Sequence, residues 1–168
     1  MPSAMDEPVM LNALKLLALK VDYHTPIEVL LVGGAAGILT GVLRADRTTT
    51  DCDIMVYEPI AAMAAIELAA QQVAQELDLN PEWLNSNVQI RLDSLPTGWR
   101  QRRILILEHG SLRLFAASKR DLIAMKVLAG RDQDLDDIAD MQMNADDKRF
   151  VQTYLSELAA KGTSNEQI

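Results

Sequence analysis

The sequence holds a single cysteine, Cys52. No disulfide can close within the chain, and the expected setting is the reducing cytoplasm. Histidines are as scarce: His24 and His109 are the two present, each in an apparent turn. They offer neither a metal triad nor a catalytic dyad. No apolar run approaches the roughly 18 charge-free residues that a membrane span needs. The opening "MPSAMDEPVM" lacks both the basic start and the apolar stretch of a signal peptide. A cytoplasmic protein with no membrane partner is therefore expected. A basic excess is missing too, since the net charge of −8 argues against indiscriminate polyanion binding. Internal repeats and low-complexity linkers are absent.

The 168 residues are 49% hydrophobic and 24% charged, a composition that suits one globular domain over 1–168 with a core of its own. The charge is unevenly spread. Residues 91–120 carry seven basic side chains (Arg91, Arg100, Arg102, Arg103, Arg113, Lys119 and Arg120) against Asp93 and Glu108, a local balance of +5. Residues 132–147 carry seven aspartates and no basic residue. Two solvated faces would explain this, as would one basic surface set near a phosphate-bearing substrate.

Apolar periodicity predicts a first amphipathic helix over 10–21. A buried strand follows in "IEVLLVGG", then a short helix in "AAGILTGVLRA", whose Gly37 and Gly41 share a face open to close backbone approach. "DIMVYE" reads as a second strand, and the Ala-rich run after Pro59 as a long helix. "NPEWLNSN" reads as a turn or short helix, "VQIRL" as a strand and "PTGW" as a loop. Trp83 and Trp99 flank this region, where they would pack under the loop or stack a base. "RILILE" and "SLRLFA" around His109-Gly110 form a hairpin. Ser118 caps a helix over 119–129 with Asp121 in the capping-box position, Gly130 ends it, and Asp132 is placed to cap the next. A last helix is expected over 146–160, with a frayed tail. The fold class is α+β: a mixed sheet flanked by helices over 28–116, and C-terminal helices over 118–160.

The stretch "LVGGAAGILTGVLRADRTTTDCDIMV" carries the chemistry. Asp51 and Asp53 stand two apart at the mouth of a strand, so period 2 puts both carboxylates on one face and Cys52 on the other. Like charges there are costly unless a cation sits between them, and Mg²⁺ or Mn²⁺ takes one or two carboxylates plus substrate phosphates. Gly33-Gly34 opens a helix whose bare N–H groups suit a phosphate. A metal site beside a phosphate seat fits phosphoryl or nucleotidyl transfer. Cys52 reads as a small buried hydrophobe.

Strand, Gly-Gly, short helix and Asp-x-Asp strand together resemble the nucleotidyltransferase superfamily with a DNA-polymerase-β-like palm. The "R-x-T-x-D-x-D" form, here Arg47, Thr49, Asp51 and Asp53, resembles the minimal bacterial branch that includes the AbiEii-like toxin nucleotidyltransferases. "SKRDLIAMKVLAGRDQDLDDI" is similar to that branch's downstream block and puts Lys126, Arg131, Asp134 and Asp137 in matching positions. "WLNSN…LPTGWRQR" is similar to relatives of undefined activity. The resemblance spans about residues 28–140.

It implies transfer of a nucleoside monophosphate from an NTP to an RNA or protein acceptor, with Mg²⁺ or Mn²⁺ on Asp51 and Asp53. The triphosphate would lie by Gly33, Gly34 and Thr49, with charge from Arg47, Lys126 and Arg131. A toxin role would add a protein antitoxin as partner. Many superfamily members add a third carboxylate on a later strand. The candidates are Asp93 and Glu108, neither in a clear motif, and Glu108 also reads as a turn residue. Other readings stand beside these. Lys126 suits a snorkelling lysine at a core edge, where its loss would change stability little. Arg131 follows a helix end and the aspartates crowd a helix start, as helix dipoles favour. The alternative to an enzyme is an inactive binding module acting through a protein partner.

Overall fold

The computed structural model describes residues 4–44 and 46–166. Helix α1 (Glu7–Lys20) opens on Asp6, whose carboxylate accepts the Val9 N–H, and buries Met10, Ala13, Leu14 and Leu17. Strand β1 (Ile27–Val32) is almost wholly buried, as its apolar run predicts. Helix α2 (Gly33–Leu39) starts on the glycine pair itself and stops earlier than expected, where Thr40 Oγ1 turns back onto the Ala36 carbonyl. A Cβ on Gly37 would stand 2.7 Å from Leu43, so glycine there lets the returning loop close onto the helix.

Strand β2 (Cys52–Glu58) leads through a 3₁₀ turn into α3 (Met63–Leu77) and then the two-residue β3 (Leu84–Asn85). Trp83 anchors β3: it is 1% exposed, its indole N–H donates to the Ala70 carbonyl, and its own carbonyl accepts the Cys52 N–H. The packing role expected for Trp83 is the one found.

The predicted strand at "VQIRL" is instead a 3₁₀ segment, Asn87–Ser94. Asn85 Oδ1 accepts the Asn87 N–H at 2.7 Å, an Asx turn that takes the chain off the sheet edge. Val88 and Leu92 then both pack against the core. The short α4 (Trp99–Arg102) begins on the last residue of the expected loop. Strands β4 (Ile104–His109) and β5 (Leu112–Ala116) form the hairpin read from the sequence.

Helix α5 (Lys119–Ala129) starts on Ser118 and ends at Gly130 as predicted. Its Asp121 is fully buried, held by Ser118 and by the Arg102 guanidinium. Helix α6 (Asp132–Met141) is capped by Arg131 and not by Asp132, because the Asp134 carboxylate, one turn in, accepts the Arg131 N–H. Helix α7 (Ala145–Glu166) runs past the expected end at Ala160. The strand order is β3-β2-β1-β5-β4, with β1 antiparallel to β2 and parallel to β5. The sheet is thus mixed and flanked by helices, an α+β fold. Among the described residues no helix is long and apolar enough to cross a membrane.

Candidate active site

The turn from β1 into α2 places the first elements of the site. Gly33 has a φ of +68°, and the β1–β2 register sets Asp53 beside Val32. A Cβ on Gly33 would lie 2.9 Å from Asp53 Oδ2, so the missing side chain is what lets this carboxylate tuck against the turn. A Cβ on Gly34 would meet Thr49 Oγ1 at an ordinary 3.9 Å. Asp51 stands one residue before β2. Thr49 Oγ1 donates to the Asp51 carbonyl at 3.0 Å, and Thr49 pairs by backbone with Met5 in both directions. On the other side, the parallel β2–β3 register sets Asn85 across from Asp53, and Asn85 Nδ2 faces Asp51 Oδ2 at 3.4 Å.

The facing wall comes from α5 and α6. Lys126 Nζ lies 2.8 Å from Asp137 and 3.5 Å from Asp134. Asp137 also meets Arg47 at 3.3 Å and accepts from Gln133 at 3.2 Å. Arg131 grips Asp134 through two nitrogens, at 2.7 and 3.2 Å. The result is a chain of alternating charge: Arg47, Asp137, Lys126, Asp134, Arg131. Spacing along α6 explains part of it, since Asp134 and Asp137 sit three apart on one face. Lys126 is 6% exposed, so the core-edge snorkelling role is not what it has; its ammonium is buried among carboxylates.

Between the two walls lies a cleft of about 650 Å³. Gly33, Gly34, Arg47, Thr49, Asp51, Asp53, Lys126, Arg131, Asp134 and Asp137 all line it, although the two sequence blocks are some 70 residues apart. Val88, Leu95, Leu122 and Met125 form an apolar side. Asp93 and Glu108 do not line the cleft. Asp93 is exposed on the 3₁₀ segment, and Glu108 pairs with Arg113 across the hairpin at 3.0 Å.

Burial, and next the charge of Asp51, push the Asp53 carboxyl up to about 6, with Arg131 and Lys126 partly offsetting. Burial, with help from both aspartates, pushes the Cys52 thiol up to about 12, which keeps it an inert core group as expected. For Asp134 burial acts upward, but the Arg131 hydrogen bond and the Lys126 charge outweigh it and hold the carboxyl below its ordinary value.

A raised Asp53 beside Asp51 is a pair short of positive charge, the condition in which a divalent cation is welcome. Two carboxylates leave most of an octahedral shell to water and phosphate, as Mg²⁺ prefers. Among the described residues no third histidine, cysteine or acid joins them in a metal-holding group. Asp51 and Asp53 are the residues that would hold such a cation.

The basic side chains of the arginine-rich segment neither line this cleft nor stand free. Arg100 meets Glu58, Arg102 meets Asp121, Arg103 meets Glu28, and Lys119 and Arg120 both meet Asp147. Its acidic partners come largely from elsewhere in the chain, so a linear count of charge overstated the basic surface. The side chain of Arg91 lies outside the described residues. Asn85, Asn87 and Gln133 are cleft residues that pattern reading passed over. No local signal marks them; strand pairing and helix packing bring them in.

This geometry unites the Asp-x-Asp strand with the downstream lysine and aspartate block in one cleft. Residues 10–158 match a family described as nucleotidyltransferase of unknown function (DUF6036), and the chain belongs to that family. No curated protein and no solved structure matches it.

Proposed function

We propose that the protein is a divalent-cation-dependent nucleotidyltransferase that moves a nucleoside monophosphate from an NTP to an RNA or protein acceptor. The observation that carries this reading is the convergence of both sequence blocks on one cleft. Asp51 and Asp53 would hold Mg²⁺ or Mn²⁺. The bound cation supplies charge to offset the triphosphate and its leaving pyrophosphate. Thr49 and Gly34 border the space beside it. Arg47 and Arg131 offer guanidinium groups to phosphate oxygens. An ammonium has three donors; Asp137 takes one of those on Lys126 at 2.8 Å, with Asp134 as an ion-pair neighbour at 3.5 Å, which leaves a donor for a phosphate oxygen. Attack by an acceptor oxygen on the α-phosphorus forms the new ester bond as the bond to pyrophosphate breaks.

The finer resemblance, to AbiEii-like toxins, makes a cytoplasmic toxin with a protein antitoxin the leading biological setting. The paired state of the arginine segment favours no RNA surface in particular, so acceptors of both classes belong in the test. Wild-type protein is incubated with each α-labelled NTP, Mg²⁺, and total RNA or total protein. Label transfer is expected, and loss of it in Asp51→Asn with Asp53→Asn. A second reading, a binding module, is favoured because among the described residues no third carboxylate groups with Asp51 and Asp53 to hold a metal. NTP binding without transfer to any acceptor would select it. No NTP binding at all would overturn the enzyme and leave a module that keeps only the scaffold and acts through its protein partner.

A further inference from the structure

We infer that Asn85 is a positioning residue of the proposed cation site: its side-chain amide holds the Asp51 carboxylate, and its neutrality limits the cleft to a single divalent cation. The inference rests on the cation reading above. Asn85 is not on a mobile loop end. Trp83, buried and hydrogen-bonded at both its indole and its carbonyl, fixes β3 against β2, and the register then leaves Asn85 across from Asp53.

The amide's orientation follows from its partners. The Asn87 N–H at 2.7 Å can only donate, so the atom facing it is Oδ1. Nδ2 is thereby turned to Asp51 Oδ2, 3.4 Å away. A donor on Oδ2 leaves Oδ1 of Asp51 for a cation. Groups that hydrogen-bond metal-holding carboxylates orient them in just this way, and their loss typically weakens metal affinity by about 10- to 100-fold.

The position decides stoichiometry as well. Asn85 flanks the aspartate pair from the neighbouring strand, its amide at the Asp51 carboxylate and its backbone paired with that of Asp53. A carboxylate there would bring three acids together and make room for two cations about 4 Å apart. An amide adds no charge and cannot bridge two cations. Nothing in "WLNSN" as a string marks this residue; the β2–β3 pairing does.

The test is Mn²⁺ titration of the full chain at pH 8, by calorimetry and by electron paramagnetic resonance, with no nucleotide present. Wild type is expected to bind one Mn²⁺. Asn85→Ala should bind it about tenfold more weakly, the low end of the range because the 3.4 Å contact is long. Asn85→Ala also loses the 2.7 Å bond to the Asn87 N–H, so its metal-free melting temperature should fall, and Asn85→Asp, which keeps that acceptor, is the control for the turn. Asn85→Asp, close in shape, should regain the affinity and take up a second Mn²⁺, seen as spin–spin broadening. Wild-type affinity in Asn85→Ala, or a single Mn²⁺ in Asn85→Asp, would overturn the assignment while leaving the aspartate site standing. No Mn²⁺ binding by wild type would overturn the site and the assignment together.

Discussion

Replacing Lys126 with methionine tests the charged chain at the back of the cleft most directly. Methionine keeps the stem's packing and removes only the ammonium. Two carboxylates lose a cation, Asp137 at 2.8 Å and Asp134 at 3.5 Å, in a place where Lys126 is 6% exposed. Removing one partner from a buried ion pair costs about 3–5 kcal/mol, because the other charge is left uncompensated. Here each aspartate keeps help. Asp137 retains Arg47 and Gln133, and Asp134 retains Arg131. The expectation is therefore about 2–3 kcal/mol, or a fall in Tm of about 5–10 °C for a chain of this length. Urea unfolding of wild type, Lys126→Met, Asp137→Asn and the double variant measures it. The two changes should be non-additive by more than about 1 kcal/mol, since the double variant removes the stranded charge together with its partner. The exposed pair Arg113–Glu108 serves as a control, and Arg113→Ala should stay within about 0.5 kcal/mol. A Lys126→Met protein as stable as wild type, or strict additivity, would refute the network.

Asp53 gives a pH signature. Its folded carboxyl titrates near 6 against an ordinary 3.8, so the folded state takes up the proton first. Above pH 6 the ionised group weighs on the fold in full; as pH falls towards 4 that burden is lifted. Asp53→Asn should thus be more stable than wild type at pH 7.5 and equal to it near pH 4. Two units correspond to about 3 kcal/mol, reduced to about 1.5 because the group is half-buried and still meets water. A gap that does not change between pH 4 and 7.5 in denaturant unfolding would sink the argument. At Gly33, alanine should destabilise by about 1–3 kcal/mol through its positive φ and its approach to Asp53, and should weaken Mn²⁺ binding. Gly34→Ala, with room against Thr49, should do neither. Indistinguishable variants in melting and Mn²⁺ titration would show that the turn does not shape the site.

Much of this protein is written in local pattern. The buried run of β1, the hairpin about His109-Gly110, the Ser118 cap and the Gly130 stop depend on near neighbours, and each lies where residue type and spacing put it. The same holds for Asp51 and Asp53 at the mouth of β2, since one strand period sets their geometry. Other features depend on residues far away in the chain. "VQIRL" has the composition of a strand, but the Asn85 side chain competes for the backbone and the segment coils into the cleft wall. The segment 91–120 has the composition of a basic surface, but Glu28, Glu58 and Asp147 arrive from other elements to neutralise it. Lys126 has the setting of a snorkelling side chain on its own helix, and it is the packing of α6 against α5 that buries it between two aspartates. Asn85 enters the site through a two-residue strand that no periodicity could reveal. Periodicity and capping act over a few residues, so composition and order carry them. Charge neutralisation and burial depend on which distant surfaces meet, and only the folded chain decides that.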